Sequence, residues 1–185
     1  MPVYEDPMRI VLSCVRAVSA LALVIGLAAC GSTPSSSSLL SDHAAFPVGP
    51  NLSVTPGELC QHADSYRYPD HIAYCSRNVD PSLKHDIIVQ YDHDFGFDIE
   101  GLNRADFKID HFIPLCIGGA NDRSNLWPQH KSVYVLTDGI EEKLGELMAQ
   151  GKMHQDEAVK IVRGAKLDLS TAKSVEADLD RRLGN

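Results

Sequence analysis

The sequence predicts an α+β domain in which a short hairpin packs against helices. An apolar, alternating run ends at Asp110 and His111, as a strand does when it leaves a core. A Gly-Gly pair at 118–119 then allows the chain to reverse. An apolar stripe in the following segment predicts a helix over 137–150. Its members are Ile140, Leu144, Leu147 and Met148.

Composition limits the classes of function. The chain has 185 residues, enough for one domain with a core, and a formal net charge of −8. Loss of residues 1–29 removes two acidic and two basic side chains, so the charge stays the same. This charge excludes a non-specific nucleic-acid coat, which needs a basic face to release counterions. It leaves a nuclease open, because a bound cation changes the local field.

Residues 1–29 are predicted to be a signal peptide. The segment 17–29 is almost wholly apolar and is too short for a comfortable transmembrane helix, and Arg9 and Arg16 precede it. Acidic residues near the first Met are unusual in such a leader. Both Met1 and Met8 therefore remain candidate starts.

The leader ends Leu27-Ala28-Ala29 before Cys30, which resembles the lipobox of bacterial lipoproteins. The resemblance implies cleavage before Cys30 and a lipid on that residue. Acyl chains would then replace the lost leader as the membrane anchor. We therefore expect an exported protein held at the cell envelope.

The rest of the chain divides by composition. Residues 30–50 hold the Cys and a Ser-rich linker, 51–167 the main domain, and 168–185 a solvated helical tail. Within the domain, Asp80 and Pro81 are a typical helix start, and a further short helix is expected over 155–163.

The cysteines of the domain predict one disulfide. An exported chain permits such a bond. Cys60 and Cys75 flank one short polar segment and are the preferred pair. Cys116 then remains as a buried free thiol beside an apolar strand.

The segment from Phe107 to Asp138 carries the specific chemistry. It reads Lys-Ile-Asp-His-Phe-Ile-Pro-Leu from Lys108, then Gly-Gly, then Asn-Leu-Trp from Asn125. This pattern resembles the HNH endonucleases, whose site is a β-hairpin packed on one helix around a single metal ion. The resemblance implies a ββα-metal element packed by additional helices. It also implies metal-dependent hydrolysis of phosphodiester bonds in DNA, with RNA as a further candidate substrate.

The resemblance also implies roles for single residues. His111 matches the general base, Asp110 the first metal ligand and Asn125 the middle Asn that braces the hairpin. The last ligand departs from the family, in which many members carry His or Asn on the helix. Asp138 and His130 are both open for that position. The expected cation is Mg²⁺ or Mn²⁺, with Zn²⁺ a further candidate.

The residue types suit this reaction. An imidazole with an ordinary pKa near ~6.5 can take a proton from water at neutral pH. A cation held by carboxylates can neutralise charge that grows on a phosphate. Arg104 and Lys108 are candidates to bind substrate phosphate. Trp127 is expected to pack the hairpin onto a helix.

Two other classes of protein remain open at this point. One is a non-catalytic surface lipoprotein that uses an HNH-like scaffold for binding, which the acidic charge favours. The other is a metal-dependent hydrolase of a different phosphoester. The presence of Asp110, His111 and Asn125 together favours the nuclease.

Overall fold

The structure is a computed structural model and describes residues 44–184. The predicted signal peptide, the lipidation at Cys30 and most of the predicted linker lie outside these residues. Within residues 44–184, no helix has the length and apolar character needed to cross a membrane.

The described chain contains four α-helices and two small antiparallel sheets, which confirms the α+β class. The strands are β1 (Ser65–Arg67), β2 (Ile72–Tyr74), β3 (Phe107–His111) and β4 (Leu126–His130). The helices are α1 (Pro81–Phe95), α2 (Lys131–Ala149), α3 (Gln155–Leu167) and α4 (Ala172–Leu183). β1 pairs with β2, and β3 pairs with β4.

The β3–β4 hairpin is followed directly by α2. Phe107 pairs with His130 at one end of the hairpin, and His111 pairs with Leu126 at the other. Because α2 begins at Lys131, it starts at the end of the hairpin opposite His111. The helix then has the length to run back along the hairpin toward Asp110.

Two hydrophobic cores hold the hairpin in place. The first lies between α1 and the hairpin, where Trp127 is fully buried and so serves packing, as expected. The predicted start of α1 is confirmed, since Asp80 accepts a hydrogen bond from the Ser82 amide at 2.7 Å. The second core joins α2, α3 and α4 to the segment after β3. It includes Ile113, Ile117, Ile140, Leu144, Leu147, Val162 and Leu179.

Two predicted boundaries are wrong, and the predicted helical tail is more buried than expected. The predicted start of α2 at 137 is six residues late, because His130 already caps the helix. The predicted solvated tail at 168–185 contains α4, which buries Ala172 and Leu179 in the second core. The predicted linker at 30–50 extends too far, because Phe46 stacks on the His130 ring with centroids 4.0 Å apart. At the tail and the linker, a few apolar contacts outweigh a polar local composition.

The structure joins Cys60 to Cys75, the pair expected from the sequence, and the disulfide encloses the β1–β2 hairpin. Cys116 is a free thiol and is partly buried. Burial raises the pKa of Cys116 to about 12, so this thiol stays protonated at neutral pH.

The turn after β3 depends on two glycines. Gly118 has φ of +90°, a conformation that other residues rarely adopt. Gly119 lies against the segment after β3, and a Cβ there would overlap the Ile113 carbonyl group. The backbone on the two sides of this turn is therefore in direct contact.

We predict that Gly119→Ala lowers the free energy of unfolding by about 2–4 kcal/mol, because rigid backbone cannot move aside. Gly164→Ala is the matched control, since a Cβ at this position in α3 meets no atom within 4 Å. It should raise the stability by up to about 1 kcal/mol through helix propensity. Urea unfolding measures both variants, and equal stabilities would contradict the contact at Gly119.

Candidate functional site

Asp110 and His111 end β3 and have different surroundings. Successive side chains of a strand point to opposite faces. The Asp110 carboxylate faces α2 and α3, where it lies near Glu141 and Lys166. The His111 imidazole faces the loop after the turn, where it contacts Asn121. Both residues are buried, with 4% and 2% of their surfaces exposed.

Three carboxylates meet where β3 faces α2. Oxygen atoms of Asp110, Asp138 and Glu141 lie within 4.8 Å of one another. Asp138 and Glu141 are three residues apart on α2 and so share one face of the helix. The structure therefore brings the predicted ligand Asp138 to Asp110. It adds Glu141, which the sequence analysis did not single out.

Two lysines lie within this carboxylate cluster. The Lys166 side chain is fully buried, with its Nζ 2.6 Å from Glu141 Oε1 and 3.7 Å from Asp110 Oδ2. Lys108 Nζ lies 2.7 Å from Asp138 Oδ1 and 3.4 Å from Asp110 Oδ2. In this structure the Lys108 ammonium group, a candidate to bind substrate phosphate, is held in these ion pairs.

The charges of the cluster do not balance. Three carboxylates and two ammonium groups leave one negative charge when all are ionised. Burial raises the pKa of Glu141 to about 7, although the Lys166 ammonium opposes this rise. Burial also disfavours the charged form of Asp110, but Lys166 and Lys108 outweigh it and hold the pKa of that carboxyl below its ordinary value. Near neutral pH the cluster therefore exchanges a proton at Glu141.

The donor set of the cluster fits a hard divalent cation. Asp110 Oδ2 is buried and makes no hydrogen bond, so a cation that displaces the Lys108 ammonium at 3.4 Å could take this oxygen. Carboxylate oxygens are the ligands that Mg²⁺ and Mn²⁺ prefer. In residues 44–184 this is the only group of three or more such ligands, and it contains no His or Cys. The donors thus favour Mg²⁺ or Mn²⁺ over Zn²⁺.

His130 does not belong to the cluster. Its Nδ1 accepts a hydrogen bond from the Ser132 amide at 3.2 Å and caps α2. It also pairs with Phe107, at the other end of the hairpin from Asp110. Three residues of strand separate the two positions by roughly 10 Å. The prediction of His130 as a metal ligand is therefore wrong.

The His111 ring is held in one tautomer. Asn121 Nδ2 donates to the Ser76 carbonyl at 2.6 Å, which turns Asn121 Oδ1 toward His111 Nε2 at 3.0 Å. An amide oxygen only accepts, so Nε2 carries the hydrogen and Nδ1 keeps its lone pair. Burial lowers the pKa of His111, against a smaller rise from the bond to Asn121. The ring is therefore neutral at pH 7, with Nδ1 free to accept a proton.

Asn125 braces the two sides of the turn, as the sequence analysis expects. Its Oδ1 accepts from the Ile113 amide at 2.8 Å. Its Nδ2 donates to the carbonyl groups of Ile113 and Ala120, at 2.9 and 2.8 Å. Asn125 is fully buried, so all three bonds lie away from solvent. The amide fixes the segment that follows His111.

Arg104 lies away from the site. Its guanidinium donates to the Phe107 carbonyl at 2.6 Å, at the start of β3. His111 is at the other end of this strand, so the structure does not bring Arg104 to His111. The sequence analysis also missed Lys166 and Asn121, which no motif marks. Only their positions in the folded chain bring them to the site.

Comparison of the chain with known protein families, with curated proteins and with solved structures finds no match. The resemblance to the HNH endonucleases therefore remains a prediction from the residues.

We predict that Asn125→Ala lowers the free energy of unfolding by about 3 kcal/mol or more, because it leaves a buried amide and two carbonyl groups unpaired. Asn125→Asp should cost at least as much at pH 7, since an ionised carboxylate would face two carbonyl oxygens. The loss should diminish in acid as the new carboxyl gains a proton. Chemical unfolding at pH 7 and pH 5 measures both.

Asn103→Ala is the control for Asn125, because Asn103 is exposed and its side chain accepts a single bond from Ala105. This change should cost less than about 1 kcal/mol. Similar losses at the two positions would contradict the bracing role.

Proposed function

We propose that this chain is a metal-dependent endonuclease that hydrolyses phosphodiester bonds of DNA, with RNA as a further candidate substrate. One observation carries the proposal. His111, a neutral imidazole with a free Nδ1, directly follows Asp110, which belongs to a buried carboxylate cluster whose charge is incompletely balanced. The order of β3, β4 and α2 is also that of the ββα-metal element expected from the HNH resemblance.

The residues have separate tasks in this proposal. His111 takes a proton from the attacking water at Nδ1. Asn121 holds the tautomer that leaves Nδ1 unprotonated, and Asn125 fixes the chain after His111. Asp110, Asp138 and Glu141 would hold Mg²⁺ or Mn²⁺. When bound, such a cation neutralises charge on the phosphate and on the leaving oxygen.

The two lysines differ in their relation to this cation. Lys166 is fully buried and remains part of the cluster. With its charge counted, the three carboxylates leave two negative charges, which equals the charge of one divalent ion. Lys108 is partly exposed and has a flexible stem, so it competes with the cation for Asp138 and Asp110.

The place of action is also proposed from the sequence. The apolar leader and the lipobox-like residues before Cys30 support an exported protein with a lipid anchor in the cell envelope. The disulfide between Cys60 and Cys75 suits an oxidising compartment outside the cytosol.

A second candidate is a non-catalytic surface lipoprotein that uses this domain for binding. The observation that favours it is that every carboxylate of the cluster has an ammonium group within 4 Å. Such a network can be purely structural. Metal affinity and activity distinguish the two candidates.

We predict that the full chain, purified in detergent, nicks supercoiled plasmid with Mg²⁺ or Mn²⁺ and not with chelator. His111→Ala should lower the rate by about 10²–10⁴-fold, because it removes the general base. His93→Ala is the control, since the His93 side chain is 84% exposed on α1 and contacts only its neighbour Asp94.

Two other outcomes of the plasmid-nicking assay would change this account. Folded, metal-loaded protein without nicking activity would favour the binding lipoprotein. Equal loss in the two His variants would contradict the assignment of the base.

We further predict that Mn²⁺ affinity rises with pH between 6 and 7, by up to about tenfold per pH unit, because metal displaces the proton that Glu141 holds below about pH 7. Glu141→Gln should weaken binding and flatten this dependence. Glu142→Gln is the control, since Glu142 is exposed on the same turn of α2. Calorimetric titration at several pH values measures all three. A pH dependence that persists in Glu141→Gln would contradict the role of Glu141.

A further inference from the structure

We propose that Arg77 binds a backbone phosphate of the substrate strand beside His111, at a position fixed by the Cys60–Cys75 disulfide. This inference rests on the proposed function and names a residue that binds the nucleic-acid substrate. No sequence motif marks Arg77, and the residues that the sequence suggested for this task, Arg104 and Lys108, are engaged elsewhere.

The first support is the position of Arg77 in the hydrogen-bond network. The carbonyl group of Ser76 accepts the Asn121 Nδ2 hydrogen bond at 2.6 Å. The same Asn121 side chain contacts His111 Nε2 at 3.0 Å. Arg77 follows Ser76 directly. Two hydrogen bonds through Asn121 therefore connect the backbone at the base of the Arg77 side chain to the imidazole of His111. A phosphate next to His111 therefore lies within its reach.

The second support is the unused guanidinium group. Residues 44–184 contain seven arginines, and the other six each contact a carboxylate, a carbonyl or amide oxygen, or an aromatic ring. These six are Arg67, Arg104, Arg123, Arg163, Arg181 and Arg182. Arg77 is exposed, and within the described residues no hydrogen bond, ion pair or ring contact engages it. Its charge thus serves no visible structural purpose.

The third support is the way the backbone beside Arg77 is held. Cys75 is bonded to Cys60, whose own amide donates to the Gly118 carbonyl at 2.8 Å. The Ser76 amide donates to Asp64 Oδ2 at 2.7 Å. The disulfide therefore ties Cys75 to the turn through Cys60, and a hydrogen bond ties Ser76 to Asp64. A guanidinium group without partners that extends from a fixed backbone is a suitable arrangement for binding an anion from solvent.

The guanidinium group of Arg77 suits the binding of a phosphodiester. A guanidinium presents paired N–H donors that match two phosphate oxygens. The net charge of −8 gives the protein no general attraction to nucleic acid, so binding needs cations placed at the site itself. A phosphate contact carries no information about base sequence. Arg77 therefore supports binding to the backbone of any sequence.

The test measures binding of the full chain in detergent to a short labelled DNA duplex, with chelator present so that no cleavage occurs. Arg77→Gln should weaken binding by roughly tenfold or more. It should also reduce the slope of log affinity against log salt by about one, as expected for the loss of one phosphate contact. Arg77→Lys should recover part of the affinity and the full slope.

Arg181→Gln is the matched control, because it removes the same charge from an exposed position on α4. It should leave both affinity and slope unchanged. Thermal unfolding should be the same for the Arg77 variants and the parent, since Arg77 makes no structural contact. A salt slope that does not change in Arg77→Gln would overturn the inference.

Nicking assays on the same proteins separate the two proposals. A parent that nicks DNA, with Arg77→Gln equal to it in affinity and salt slope, would overturn the role of Arg77 alone. A parent that binds DNA through Arg77 but does not nick it would support this inference and overturn the proposed activity. A parent that does not bind DNA would overturn the role of Arg77.

Discussion

The buried ammonium group of Lys166 is the interaction on which the site depends. Its Nζ donates to the His111 carbonyl at 2.5 Å and lies 2.6 Å from Glu141, so one side chain of α3 joins β3 to α2. Burial of isolated carboxylates is costly, and this cation allows Asp110 and Glu141 to lie in the interior. Lys166 thereby stabilises the packing of the β3 face that carries Asp110 against α2. The position of the acidic cluster therefore depends on α3 as well as on the hairpin.

The alternation of side chains along β3 gives the site two separate parts. Asp110 points to the lysines and carboxylates between the strand and the helices, while His111 points to Asn121 and the disulfide-bonded segment. The acidic part favours a cation, and the imidazole remains neutral because burial lowers the pKa of His111. An ionised carboxylate and a neutral imidazole can thus be neighbours in sequence. Their backbone is held by the Asn125 amide and by the contact at Gly119.

The parts of the fold that follow local rules could be predicted from the sequence. The hairpin, the start of α1 and the Cys60–Cys75 pair have short-range signals, namely alternation, a capping Asp with Pro, and spacing. The bracing role of Asn125 followed from the resemblance. The start of α2 was missed because a His cap is unusual and because the exposed Val135 and Leu136 obscure the helical stripe.

The parts that depend on distant contacts could not be predicted in this way. Lys166 is 55 residues from His111 in sequence, and a lysine in a short amphipathic helix normally indicates a solvated face. Glu141 was not singled out, because an acidic residue near the start of a predicted helix is common without a metal. Lys108 was taken as a candidate to bind phosphate. Its ion pair with Asp138 joins residues 30 positions apart, so local sequence could not reveal it. The ion pairs of the site arise only when three elements pack together.

The most direct test of the account is a crystal structure of the protein grown with Mn²⁺, with the anomalous signal of the ion measured. The account predicts a peak bounded by Asp110, Asp138 and Glu141, with the Lys108 ammonium moved away from Asp138 and Lys166 still in place. A cluster without a peak at millimolar Mn²⁺, with both lysines in their present ion pairs, would contradict the account. It would leave the acidic cluster as a structural network.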